Sequence, residues 1–205
     1  GSDAMNKDPD YSAAYLILET DQEGLSGHSL VFTIGRGNDL QCESIAQLAE
    51  AVIGENIEGL VDRIGDIGRA LVRDSQMRWL GPEKGIPHMA AGGVINARWD
   101  LVCKLEQKPL WQVLAHLSPE QLTNLIDFRY LTDALTPEEA LRIFQEMEPH
   151  RAENERILLE KGLPAYTTTL GWLGYTDETM VRLAHEAIAD GFTLIKMKVG
   201  GSLDN

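Results

Sequence analysis

Two lysines, Lys196 and Lys198, carry the side chains in this sequence whose type and spacing best suit chemistry. They lie in residues 192–200, FTLIKMKVG, which alternate as a β-strand does. Thr193, Ile195, Met197 and Val199 fall on one face; Leu194, Lys196 and Lys198 fall on the other. An ammonium one pleat away favours the free amine of its neighbour, and a lysine held as the free amine can act as a general base. A pair of lysines near a strand end is more often a solvated face, but here Leu194 shares that face, which argues that it points inward.

The elements before the pair must position it. Residues 176–190, TDETMVRLAHEAIAD, read as an amphipathic helix with Met180, Leu183, Ala184, Ala187 and Ile188 as its apolar stripe. Thr176 is placed to cap its start, Asp177 and Glu178 suit the positive end of its dipole, and Gly191 can end it. Residues 165–169, rich in Thr, read as an earlier strand. Strand, helix and strand make a βαβ unit, hence a parallel sheet covered by helices. In a barrel of such units the C-terminal strand ends carry the chemistry, and Lys196 and Lys198 fall there, with Trp172 just past the first strand at the same end.

The 205 residues are 43% hydrophobic and 24% charged, a globular composition with enough apolar material for one or two cores. The net charge of −14 argues against nucleic acid or an anionic membrane surface as partner. The apolar runs are too short to span a bilayer. Cys42 and Cys103 sit in helix-like segments and read as reduced thiols of a cytoplasmic protein. His28, His88, His116, His150 and His185 have no metal-ligand spacing with acidic partners and read as surface or packing residues. The polar opening and the stop just after a second parallel strand lead us to expect the front part of a larger protein, with Gly1 and Ser2 alternatively a cloning scar.

In chain order, residues 11–20 and 25–34 read as the strands of a hairpin. Asn38 is placed to cap a helix with Ile45, Leu48, Ala49, Val52 and Ile53 inward. A second helix spans roughly residues 57–73, with Leu60, Ile64, Ile67 and Leu71 inward. Residues 78–85 read as a loop. Residues 88–107 form a long helix whose small residues (Ala90, Ala91, Gly92, Gly93) allow close packing, and Pro109 opens a short one. Residues 125–131 read as extended or irregular. Thr136-Pro137-Glu138-Glu139 is a capping box with Pro at the first helical position, and a further helix ends at Gly162. The fold class is thus α+β at the front, followed by the first βαβ unit of an α/β barrel.

A lid of this kind before a barrel whose second strand ends Lys196-Met197-Lys198 resembles the enolase superfamily, in its mandelate racemase-like group. The run from Asn96 to Leu101 and the segment Lys108-Pro109-Leu110-Trp111 are similar to that group's helix leading into the barrel. Residues 1–12, 78–85, 126–133 and 164–175, with the helical hairpin 136–162, most resemble the L-fuconate dehydratases within it. The resemblance implies three parts: a capping domain over residues 1–117, a connecting segment with a helical-hairpin insertion over 118–163, and the start of the (β/α) barrel over 164–205.

It also implies an activity: abstraction of the proton α to a carboxylate, then loss of the β-hydroxyl, to give a 2-keto-3-deoxy acid in L-fucose catabolism; the alternatives are another acid-sugar dehydratase or racemase of the superfamily, or a non-catalytic truncated chain. Lys198 would be the base, and Lys196 would tune it and pair with the carboxylate or enediolate. Mg²⁺ would stabilise the enolate; its ligands and the general acid are expected on later strands beyond this chain, so the fragment alone is expected to be inactive. Gly1, Ser2 and Asp3, in a loop resembling the family's specificity loop, would bind the sugar-acid hydroxyls, with Tyr11 beside them and Trp172 also at the substrate. The expected partner is a small acid sugar; a homo-oligomer of the full-length enzyme is left open.

Overall fold

The computed structural model describes residues 8, 10–81 and 84–200. The chain divides into two compact units, one of Ser12–Arg156 and one holding residues 157–200, with which Tyr11 is grouped.

The first unit opens with a hairpin of β1 (Tyr11–Glu19) and β2 (Ser26–Ile34), which pair in a two-stranded sheet. Period-2 alternation decides its faces: Ala14 is buried and Leu16 and Leu18 are half-buried, whereas Tyr15 and Ile17 face outward. Behind the sheet run α1 (Asn38–Ala49), α2 (Leu60–Val72) and the long α3 (Ile86–Glu106). Ala14, Val31, Ile45, Leu48, Leu71, Ala90, Ala91 and Val94 form one core; Leu60, Ile64, Leu101, Val102 and Val113 form a second.

The small residues of α3 bring β2 almost onto its backbone. A Cβ on Gly27 would lie 2.1 Å from the Ala97 carbonyl oxygen. Polar ties fix the approach: Ser29 Oγ donates to the Gly93 carbonyl (2.6 Å), and the His28 amide donates to Asp100 Oδ2 (2.7 Å). Lys104 Nζ bridges Asp100 Oδ2 (2.6 Å) and the Ser26 carbonyl (2.6 Å). Arg98 on the same helix is 2% exposed and pairs with Glu55 Oε2 at 2.9 Å. Its Nε and Nη2 find no partner among the described residues. It lines a cleft of about 850 Å³ with Leu16, Leu18, Val52 and Leu101.

After α3 come α4 (Leu110–His116), α5 (Pro119–Asn124), α6 (Pro137–Met147) and α7 (Arg151–Lys161), within which the two units meet in sequence. The capping box at Thr136 forms as its sequence predicts, the Thr136 hydroxyl accepting from the Glu139 amide and the Glu139 carboxylate accepting from the Thr136 amide.

Two expectations are corrected, and two features are added. Gly37, at φ 101°, and not Asn38 stands at the start of α1; Asn38 is the first helical residue and accepts from Thr33 Oγ1 (2.9 Å). Ile53 is 68% exposed, because the chain leaves α1 through the 3₁₀ turn Glu50–Val52 before reaching it. The helix α5 had no counterpart in the sequence reading, although Ser118-Pro119-Glu120-Gln121 carries a capping box. Residues 125–131 contain a 3₁₀ turn, Phe128–Tyr130.

In the second unit α8 (Asp177–Ala189) starts at Thr176, whose hydroxyl accepts from the Thr179 amide. The Gly191 amide donates to the Ile188 carbonyl and the Phe192 amide to the Ala187 carbonyl, a Schellman motif that needs the left-handed φ of 90° at Gly191. Of the stripe on α8, Ala187 is buried, Met180, Leu183 and Ala184 are half-buried, and Ile188 is 61% exposed. The two strands expected around it pair through a single parallel bridge, Thr167 to Ile195. No helix among the described residues is long and apolar enough to cross a membrane.

Two measurements on this chain check the packing of β2 on α3. Gly27→Ala should lose about 3 kcal/mol of stability in urea unfolding, because carbonyl oxygen and backbone cannot retreat as a side chain can. Burial by itself would raise the Asp100 carboxyl, but the Lys104 hydrogen bond, the His28 amide and the Lys104 charge outweigh it and hold the carboxyl below its ordinary 3.8. The stability this provides is full above pH 3.8 and is lost as the pH falls through the lowered folded-state value. Asp100→Asn should therefore unfold more easily at neutral pH, and its urea midpoint should converge with that of the parent chain in acid.

Candidate functional site

The Schellman turn after α8 delivers residues 194–198 alongside residues 167–171. Around the bridge, the Thr167 amide donates to the Leu194 carbonyl (3.1 Å) and the Lys196 amide to the Thr167 carbonyl (2.9 Å). The first segment then makes a turn, the Gly171 amide donating to the Thr168 carbonyl (3.0 Å), and rejoins its neighbour where the Lys198 amide donates to the Gly171 carbonyl (2.7 Å). Lys196 and Lys198 thus send their amides to the same neighbouring segment. In extended chain, residues whose amides point to one edge two positions apart also share a side-chain face, so the two ammonium groups leave the backbone together.

Gly171 makes this pairing possible. A Cβ there would lie 2.1 Å from the Lys196 carbonyl oxygen and 2.9 Å from Met197 Cα. Beside it, Thr167 is buried and its hydroxyl hydrogen-bonds that of Thr169 (2.9 Å). Each lysine lies over an aromatic ring: Lys196 Nζ is 5.5 Å from the Tyr166 centroid and Lys198 Nζ 5.1 Å from the Trp172 centroid. At the start of α8 the Glu178 carboxyl is held below its ordinary value, first by its own backbone amide and then by the Thr176 hydroxyl.

The structure therefore lays Lys198 over Trp172 and places Lys196 two residues earlier with its amide on the same backbone edge. Tyr11 opens β1 with its side chain about half exposed. Gly1, Ser2 and Asp3 lie outside the described residues. Tyr166 went unnoticed in the sequence; it precedes the Thr run, and only the register of Thr167 on Ile195 reveals that it neighbours Lys196. Among the described residues no group of three or more His, Cys, Asp and Glu side chains could hold a metal ion, so the described side chains do not fit a Mg²⁺ site of their own.

Residues 6–115 match the mandelate racemase / muconate lactonizing enzyme N-terminal domain. The chain belongs to that family, within the enolase superfamily. The L-galactonate dehydratase of Hypocrea jecorina is 50% identical to this enolase-superfamily chain over 205 residues, covering 100% of the chain and 45% of the relative. Mitochondrial enolase superfamily member 1 of Xenopus laevis is 48% identical over 204 residues, 99% of the chain and 46% of the relative. The crystal structure of human Mitochondrial enolase superfamily member 1 superposes with a TM-score of 0.92 at 44% identity, covering 100% of this chain and 46% of that one. The chain thus spans about half the length of the curated relatives it matches.

The contact at Gly171 gives the site a direct check. Gly171→Ala should separate the two segments, and exchange of the Lys198 amide with solvent should accelerate by at least about tenfold while amides within α3 keep their protection.

Proposed function

We propose that this chain is the front portion of an acid-sugar dehydratase acting on L-fuconate. The observation that carries the reading is the lysine pair, two ammonium groups anchored through their own amides to one segment and leaving the backbone on one face. The similarity of all 205 residues of this chain to 45% of a relative named L-galactonate dehydratase supports the reaction class. On this reading residues 164–200 open a (β/α) barrel whose remaining strands lie outside the chain, and the hairpin and helices of residues 11–117 form its capping domain. Members of the superfamily use Mg²⁺, which would stabilise the enolate; we propose that its ligands come from outside the described residues.

Lys198 Nζ takes the proton from the carbon next to the carboxylate, and the electron pair of the broken C–H bond passes into the carboxyl group. Lys196 remains an ammonium and faces the carboxylate oxygens, where negative charge grows as the proton leaves. The electron pair then returns to form a carbon–carbon double bond as the β-hydroxyl departs. It leaves as water, with a proton from an acid outside this chain, and the resulting enol becomes the 2-keto-3-deoxy acid. Gly1, Ser2, Asp3 and Tyr11 would bind the sugar-acid hydroxyls, and Trp172 would lie beside the substrate. The two free cysteines suit a reducing compartment, for which we propose the cytoplasm.

The name of the Hypocrea jecorina relative favours one second reading, L-galactonate as substrate. L-Fuconate is 6-deoxy-L-galactonate, so the two readings differ in one hydroxyl. A site that hydrogen-bonds that hydroxyl rejects the acid lacking it by a large factor, whereas an apolar pocket discriminates only weakly against the acid that has it.

In the complete parent enzyme, Lys198→Met should lower kcat on L-fuconate by about 10³-fold with KM nearly unchanged, read as 3-deoxy-2-keto acid released. Full turnover by that variant removes Lys198 as the base. Turnover of L-galactonate alone moves the substrate assignment to the second reading.

A further inference from the structure

Each lysine of the pair is held twice by the same stretch of chain. Lys196 gives its amide to the Thr167 carbonyl and lays its ammonium over the ring of Tyr166, the residue immediately before. Lys198 gives its amide to the Gly171 carbonyl and lays its ammonium over the ring of Trp172, the residue immediately after. The turn between Thr168 and Gly171 spaces these anchors: four residues of the first segment are spent against two of the second, so each lysine receives its own ring.

Building on the dehydratase reading above, we infer that Tyr166 and Trp172 are positioning residues, Tyr166 for Lys196 and Trp172 for Lys198, each presenting its ring face as a shelf for one ammonium. An aromatic face attracts a cation but has no lone pair that competes for its proton. A carboxylate in the same place would hold the ammonium more tightly and would oppose its release as a free amine. A ring therefore directs the lysine in its charged form while opposing release of the proton less than a carboxylate would. It also replaces solvated motion of a long, flexible stem with one preferred direction, which is what a base needs to meet a C–H bond at short range.

The test uses the complete parent enzyme with Tyr166→Leu, Tyr166→Phe, Trp172→Leu and Trp172→Phe. Both Leu variants should lose about tenfold in kcat, Tyr166→Leu with KM within about twofold, and the Phe variants, which keep a ring face, should recover to within about threefold of the parent in kcat. A second readout does not depend on turnover. With ¹³C-labelled lysine, the ε-methylene signals of Lys196 and Lys198 should lie upfield through the ring current in the parent and in the Phe variants. They should return to ordinary positions in the Leu variants. Parental kcat in the Leu variants overturns the inference, as do Phe variants no better than the Leu ones. Absence of the upfield signals overturns it whatever the activity. If the parent dehydrates no acid sugar but the signals are present and vanish with the rings, the dehydratase reading fails and the placement of the lysines on their rings stands.

Discussion

The contact between Gly171 and the Lys196 carbonyl is the constraint on which the lysine pair depends. Two extended segments cannot run side by side through a turn unless one of them gives up its side chain at the point where the backbones touch. With that side chain gone, the Lys198 amide reaches the Gly171 carbonyl, and the pairing begun at Thr167 resumes past the turn with two extra residues in the first segment. The direction of two ammonium groups is thereby set by three backbone hydrogen bonds. A backbone bond is worth only about 1 kcal/mol net, so the direction is secured by the number and geometry of these bonds more than by the strength of any one.

The first unit applies the same device at larger scale. Gly27 against Ala97 lets a strand lie on a helix at backbone distance, and the polar groups that such closeness would strand are satisfied across the contact by Ser29, Asp100 and Lys104. Apolar burial supplies the bulk of the stabilisation there, at about 25 cal/mol per Å², while the hydrogen bonds select one register from several that would bury similar area. The Arg98–Glu55 pair belongs with the second kind of contribution. A buried ion pair adds little net stability over apolar residues of like volume, but it penalises any arrangement that separates the two charges.

Much of this was legible in the sequence wherever a local rule acts alone. The Thr136 capping box, the Thr176 cap and the Gly191 stop were each written in three or four residues, and each formed. The alternation in residues 192–200 placed both lysines on one face, and the backbone bonding agrees. What the sequence concealed depended on partners distant along the chain. Asn38 has the composition of a cap, but its amide is drawn to Thr33 in the hairpin, leaving Gly37 to start the helix. Ile53 continues the stripe of α1 on paper, yet the helix tightens and ends before it. Tyr166 could not be connected with Lys196 until the register between the two segments was known. The helix α5 differs: its signal was present in Ser118 and Gln121, and its six residues are too few for hydrophobic periodicity to mark it.

The placement of β2 on α3 also bears on the order of assembly during synthesis. His28 finds Asp100 across 72 positions and Ser29 finds Gly93 across 64, whereas Thr167 and Ile195 close a loop less than half as long. At roughly 5 to 20 residues per second on the ribosome, the hairpin emerges several seconds before the helix that will cover it. Through that interval its inner face, which carries Leu16, Leu18 and Val31 beside Gly27, stays uncovered. The glycine that allows the final contact therefore leaves those side chains to wait for α3, and the hairpin is covered only once residues 86–106 have been made.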